Sequence, residues 1–132
     1  MITRDEIRKI PELHKSIRRG MDHLEYLSEK ATAISSSIGD GERVQSSADN
    51  KAGRYIDAAV DLSRDIEKER MELLELQRKA LAFIETIDDP LHKKILRYRY
   101  IWCYSWEDVA DLVGYQQRYI QRLEYEILQE LE

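Results

Sequence analysis

The side chains with the most specific chemistry in this sequence are glutamines and arginines near its carboxyl end. In the major groove of DNA, glutamine forms paired hydrogen bonds with adenine edges and arginine with guanine edges. At helical spacing these residues alternate with apolar Ile120 and Leu123, which would face a protein core. The pattern therefore predicts a helix with one base-reading face. The predicted members of that face are Gln116, Gln117, Arg118, Gln121 and Arg122.

The other reactive residue types favour neither catalysis nor metal binding. His14, His23 and His92 do not have the spacing of metal ligands. Cys103 lies in an aromatic stretch with no histidine close in sequence, which favours a structural thiol over a nucleophile. The glycines of residues 39–41 are not followed by the Gly-Lys-Ser/Thr of a phosphate-binding loop. We therefore expect no enzymatic activity, no metal and no cofactor.

Composition indicates a helical protein that does not span a membrane. Charged residues make up 36% of the chain, with only two prolines and five glycines. The longest run without a charged residue, 31–39, is far shorter than the ~18 apolar residues that cross a bilayer. A single cysteine excludes an internal disulfide and suits a reducing compartment. Charged residues among the first six argue against a secretory signal peptide, so we expect a cytoplasmic protein.

Two apolar stripes with heptad spacing predict a long antiparallel helical hairpin over residues 1–87. The first stripe runs from Ile10 to Ile34, and the second from Ala59 to Ile87. A loop at about 35–50, rich in serine and glycine, would reverse the chain between them. Gly20 interrupts the first stripe, which predicts a close approach of a partner helix. Such a hairpin would also serve as a dimerisation region, since two hairpins can form a four-helix bundle.

Capping signals divide residues 88–132 into three shorter helices. Asp89 and Pro90 form a helix start, and Ser105 is a good N-cap for the next helix. Gly114 would close that second helix, and the third would cover about residues 116–130. The aromatic residues of the range 98–106 alternate with a period of two, which is typical of a strand. We interpret this alternation as a helix end and a turn, because a lone strand would have no partner.

The second and third of these helices have the pattern of a helix-turn-helix. Ala110 is small where the two helices would cross, and Gly114 lies four residues later at the turn. The residues expected to be buried between the helices are Val109, Val113, Ile120 and Leu123. The sequence thus predicts an all-α chain, in which a helical hairpin precedes a three-helix module. That module is near the lower size limit for independent folding, so we expect it to dock on the hairpin or on a second chain.

The segment SWEDVADLVGYQQRYIQRLEYEIL, residues 105–128, resembles the C-terminal helix-turn-helix of bacterial sigma factors, which reads the −35 promoter element. The preceding DPLHKKILRYRYI resembles the helix that leads into that module. The whole chain resembles a family of small phage and prophage proteins of Gram-positive bacteria, related to phage late-gene transcription activators. Related modules often carry a glycine near Cys103, where this sequence has none. The resemblance implies a phage-derived protein in the cytoplasm of a bacterial host.

Together these features predict a sequence-specific regulator of phage or prophage transcription that binds double-stranded DNA as a homodimer. Residues at the groove edge would contact phosphates, as positioning contacts do in most protein–DNA complexes. The predicted phosphate contacts are Lys93, Lys94, Arg97, Tyr104 and Ser105. Two alternatives remain open: an adaptor that contacts host RNA polymerase through the acidic tail 124–132, and a small terminase-like subunit for DNA packaging.

The distribution of charge favours DNA binding more than the net charge of −5 does. Residues 90–122 carry six basic side chains against three acidic ones, whereas the last ten residues carry four glutamates and no base. A small local excess of positive charge predicts modest affinity for each module. Useful binding would then need a dimer or RNA polymerase as a second DNA contact.

Overall fold

The computed structural model describes residues 1–38 and 46–132, apart from the side chains of 36–38 and 46–49. These ranges are helical and contain no β-strand, which confirms the all-α prediction. A π-helical segment, here called the π-turn, follows the third α-helix. The elements are α1 (Arg4–Ile38), α2 (Ser46–Ile84), α3 (Pro90–Leu96), the π-turn (Arg97–Ile101), α4 (Trp106–Val113) and α5 (Gln117–Leu128).

Helix α1 begins with a capping box. The backbone N–H of Glu6 donates to Thr3 Oγ1 at 3.1 Å, and the N–H of Thr3 donates to Glu6 Oε1 at 3.0 Å. These bonds satisfy donors that the first helical turn leaves unpaired. Pro11 lies inside α1, so the helix continues through a residue that has no backbone N–H to donate.

The compact unit formed by residues 16–70 is an antiparallel pair of helical segments. A Cβ atom added at Gly20 would lie 3.0 Å from Ile66 Cγ1, so the Ile66 side chain would have to shift by a few tenths of an ångström, and glycine therefore suits this close approach. Glu69 is the one charged residue at a stripe position of α2. Its Oε2 accepts a hydrogen bond from Ser16 Oγ at 2.6 Å. The two stripes therefore pair within one chain, as the hairpin prediction requires.

The connection between α1 and α2 is shorter than the predicted loop of about 35–50. Helix α1 continues to Ile38 and α2 begins at Ser46. The predicted glycine turn of residues 39–41 lies outside the described residues. Helix α2 ends at Ile84 rather than at Ile87, because the amides of Thr86 and Ile87 bond three residues back and tighten the chain into a turn.

The second compact unit contains residues 1–15 and 71–132. Its larger cluster, here called the main core, combines the start of α1, the end of α2 and the C-terminal helices. Its buried members are Ile2, Ile7, Ile10, Leu13, Leu76, Ala80, Phe83, Ile84, Leu96, Tyr100, Ile127, Leu128 and Leu131. The C-terminal segment thus docks on the ends of the two long helices, as its small size predicts.

A second cluster, here called the small core, holds α3, α4 and α5 together. Its fully buried residues are Ile95, Val109 and Ile120, and Ala110 lies beside them. Three predicted capping positions are confirmed around it. Asp89 accepts backbone bonds at the start of α3, and Ser105 Oγ accepts from the N–H of Asp108 at 3.1 Å. Gly114 ends α4 in the left-handed conformation, with φ of 79°.

The aromatic alternation of residues 98–106 corresponds to a helix end and a turn, as interpreted from the sequence. The N–H of Trp102 bonds to the carbonyl of Arg97, five residues back, which defines the π-turn. Gln77 Nε2 on α2 donates to the carbonyls of Tyr100 and Ile101, both at 3.0 Å. These bonds attach the π-turn to α2. Within the described ranges, no helix combines the length and apolar character required to cross a membrane.

Candidate nucleic-acid interface

The first half of α5 presents the five predicted base-reading residues to solvent. Helix α5 is held from the opposite side by Ile120 in the small core and by Ile127 and Leu128 in the main core. Residue Gln116 is the N-cap, but its side chain makes no capping bond and stays available. Gln116, Gln117, Arg118, Gln121 and Arg122 are all exposed, and none has a side-chain hydrogen bond or ion pair in the described part of the chain.

Two tyrosines that were not among the predicted site residues lie beside this face of α5. The rings of Tyr115 and Tyr119 lie 5.3 Å apart, and the guanidinium of Arg122 lies over the Tyr119 ring at 5.6 Å. Together with Gln116 and Arg118 they line a shallow depression at the start of α5. The contact between Tyr119 and Arg122 could be predicted from the sequence, because side chains three residues apart meet on a helix. Tyr115 precedes α5, so helical spacing does not predict its contact with Tyr119.

The predicted phosphate-contacting residues differ in their exposure and in whether they already have a partner within the protein. Lys94 is exposed and Lys93 is half-buried, and neither ammonium group has an acidic partner among the described residues. Arg97 Nη2 bonds to Glu85 Oε1 at 2.7 Å, so part of its charge is neutralised. Ser105 Oγ already caps α4, and the partly exposed Tyr104 packs against Tyr98 with ring centroids 5.8 Å apart. The two lysines are therefore the least constrained members of the predicted set.

Arg99 fixes the chain between the π-turn and α4. Its guanidinium lies 4.7 Å from the centre of the Trp106 ring, and Nη1 donates to the carbonyl of Tyr104 at 2.9 Å. Its buried Nε is without an acceptor in the described residues. Trp102 is 65% exposed, whereas Trp106 packs against the small core. Of the aromatics that could stack on nucleic acid, Trp102 and Tyr104 are thus accessible and Trp106 is largely structural.

Cys103 has the backbone conformation of a glycine. Its φ is 58°, the one positive value at a non-glycine residue in the described ranges. Burial raises the pKa of the Cys103 thiol, and Sγ lies 3.5 Å from Gln77 Nε2. A protonated, half-buried thiol is a poor nucleophile, which favours the structural role expected from the sequence.

The acidic tail, residues 124–132, was predicted to present all its glutamates to solvent, but one of them is buried. Glu124 is buried, and its Oε1 accepts a hydrogen bond from the Tyr100 hydroxyl at 2.6 Å. Burial, followed by the negative charge of Glu124, raises the pKa of Tyr100. Glu124 therefore cannot belong to the acidic surface that the adaptor alternative places on residues 124–132. The exposed acids of the tail are Glu126, Glu130 and Glu132.

The described residues contain no group of three or more histidine, cysteine, aspartate or glutamate side chains placed to hold a metal ion. Comparison with protein-family models, curated proteins and solved structures finds no match to this chain.

Proposed function

We propose that this protein is a sequence-specific regulator of phage or prophage transcription that binds double-stranded DNA, with α5 in the major groove. One observation carries the proposal: the first half of α5 holds only glutamine and arginine at its exposed, unpaired polar positions. These are the side chains that read adenine and guanine edges with paired hydrogen bonds. A solvated helix face without this role more often mixes acidic with basic residues.

The packing of α3, α4 and α5 supports the proposal. A base-reading helix has to be held rigidly, and α5 buries one side in two separate clusters. Its 12 residues extend about 18 Å, which suits a helix lying in the major groove. The left-handed Gly114 between α4 and α5 is the turn expected of a helix-turn-helix.

We further propose that the protein acts as a homodimer through its hairpin. The compact unit of residues 16–70 contains a groove whose described lining residues carry no charge, in a chain that is 36% charged. Ile56 and Val60 line this groove and are 49% and 45% exposed. A second hairpin would bury these side chains, and a dimer would read two half-sites separated by about one helical turn or a multiple of it.

A fluorescence-anisotropy titration with prophage promoter DNA over a range of potassium chloride concentrations tests the proposal. We expect affinity to fall steeply with salt, because phosphate contacts release counterions. The double variant Arg118→Ala, Arg122→Ala should bind at least tenfold more weakly. The matched control is Arg18→Ala, Arg19→Ala, which removes the same charge from exposed positions of α1 and should bind like the wild type.

Equal affinities of the two double variants would contradict the proposed recognition surface. Oligomeric state is measured independently by sedimentation equilibrium. A monomer throughout the micromolar range would contradict the hairpin dimer without affecting the assignment of α5.

A second candidate function is an adaptor that contacts a basic surface of host RNA polymerase. The exposed carboxylates of the acidic tail favour it, since Glu126, Glu130 and Glu132 have no basic partner among the described residues. Copurification of polymerase with the wild type, combined with no DNA affinity at low salt, would favour the adaptor. Loss of that copurification in a Glu126→Gln, Glu130→Gln variant would assign the contact to the tail.

A further inference from the structure

The two arginines of the α5 face differ in how they are held. The Arg122 guanidinium lies over the ring of Tyr119, which itself packs against the small core and against Tyr115. Arg118 has no ring, hydrogen-bond or ion-pair partner among the described residues. Arg122 thus contacts an aromatic ring of its own helix, whereas Arg118 contacts no charged, hydrogen-bonding or aromatic partner among the described residues.

The contact with Tyr119 leaves the N–H donors of Arg122 without a hydrogen-bond partner in the described part of the chain. A guanidinium is planar, and its five N–H donors lie in that plane. The in-plane donors of Arg122 have no acceptor in the described part of the chain. A guanidinium that lies beside an aromatic ring and keeps its donors free is suited to the paired acceptors O6 and N7 of guanine.

Resting on the function proposed above, we infer that Arg122 determines specificity at a G·C base pair and that Tyr119 is the residue that positions it. Arg118 contacts a phosphate instead. Ordering a long side chain before binding reduces the entropy lost in the complex, and a directional base contact gains more from this than a phosphate contact does. Tyr115 supports the arrangement by packing against the Tyr119 ring, with the two ring planes tilted by 38°.

The test uses the full chain and selection of bound sequences from random double-stranded DNA, followed by anisotropy titrations on the selected site and its single-base-pair variants. Arg122→Ala should lose preference at one G·C pair by roughly 5- to 150-fold. Arg118→Ala should weaken binding to all sequences by a similar factor and reduce the slope of log affinity against log salt by about 1.

The Tyr119 variants separate positioning from general packing. Tyr119→Phe keeps the aromatic face and should keep the preference at that base pair. Tyr119→Leu removes the face and should lose part of the preference at the same base pair, while the salt slope stays unchanged. Far-UV circular dichroism checks that both variants retain the wild-type helix content, and the exposed Arg122→Ala variant tests the inference without changing the core.

Two results would overturn this inference alone: uniform weakening of all sequences by Arg122→Ala, or wild-type selectivity of folded Tyr119→Leu. If the wild type enriches no sequence at all, both this inference and the proposed function are wrong. The two failures are distinguished by the behaviour of the wild-type protein in the selection.

Discussion

The buried hydrogen bond between Tyr100 and Glu124 gives a quantitative test of how the C-terminal helices are held. Tyr100 is 2% exposed and Glu124 is 8% exposed, and the hydroxyl donates to the carboxylate at 2.6 Å. This is the length of a charge-assisted bond. Tyr100→Phe keeps the ring in the main core and removes only the donor. We expect the free energy of unfolding to fall by about 2–3 kcal/mol, because a buried carboxylate loses its partner.

A double-mutant cycle separates this bond from the packing of each side chain. Glu124→Leu leaves the Tyr100 hydroxyl buried without an acceptor and should also destabilise the protein. The double variant Tyr100→Phe, Glu124→Leu removes both polar groups, so its cost should be smaller than the sum of the two single costs by about 2 kcal/mol. Urea unfolding followed by tryptophan fluorescence is suited to the measurement, since Trp102 and Trp106 lie in the same compact unit as the pair. A loss of about 2 kcal/mol corresponds to a midpoint shift of roughly 1 M urea.

The same pair predicts a dependence on alkaline pH. The raised pKa keeps Tyr100 protonated in the folded state, while tyrosine in the unfolded chain ionises near its usual pKa of about 10. The stabilisation is therefore complete below pH of about 10 and is lost as pH rises further. The difference in stability between wild type and Tyr100→Phe should shrink above that pH. A difference below about 0.5 kcal/mol at neutral pH, or one unchanged at pH of about 11, would refute the assignment of a buried, charge-assisted bond.

Three further predictions concern local structure. Cys103→Gly should be more stable than Cys103→Ala by about 1 kcal/mol in urea unfolding, because alanine retains the strain of a positive φ; equal stabilities would contradict this. Gln77→Ala should lower the free energy of unfolding by about 1–3 kcal/mol, because two carbonyls of the π-turn lose their hydrogen-bond donor. The control Arg78→Ala, at an exposed position of the same helix, should change the free energy of unfolding by less than about 0.5 kcal/mol. The hydrogen bond from Lys79, followed by the one from the backbone N–H of Thr3, lowers the pKa of Glu6. The ionised Glu6 carboxylate therefore stabilises the fold above the ordinary pKa of about 4.3, and this stabilisation is lost as pH falls. Acid unfolding of Glu6→Gln should accordingly be less steep than that of the wild type, and identical acid transitions would exclude the contribution.

Most of the fold followed from local sequence signals, and particular residues show why. The capping box at Thr3, the N-caps Asp89 and Ser105, and the turn at Gly114 each depend on residues within four positions of one another. Such patterns act before tertiary packing, so they can be read directly from the chain. The exposure of the five α5 residues also followed from helical spacing. The bounds of the long helices did not, because the ends of a helix depend on contacts that spacing does not describe.

The helices, their apolar faces and the row of glutamines and arginines on α5 follow from the order of residue types along the chain. Which polar side chains remain free of partners depends on how the helices pack. The tertiary structure buries Glu124 against Tyr100, 24 residues away, and it pairs Arg97 with Glu85, 12 residues away, at the surface. It also gives Cys103 a positive φ. Helical periodicity relates residues a turn or two apart, whereas these contacts depend on how separate helices pack, and that information is distributed over the whole core.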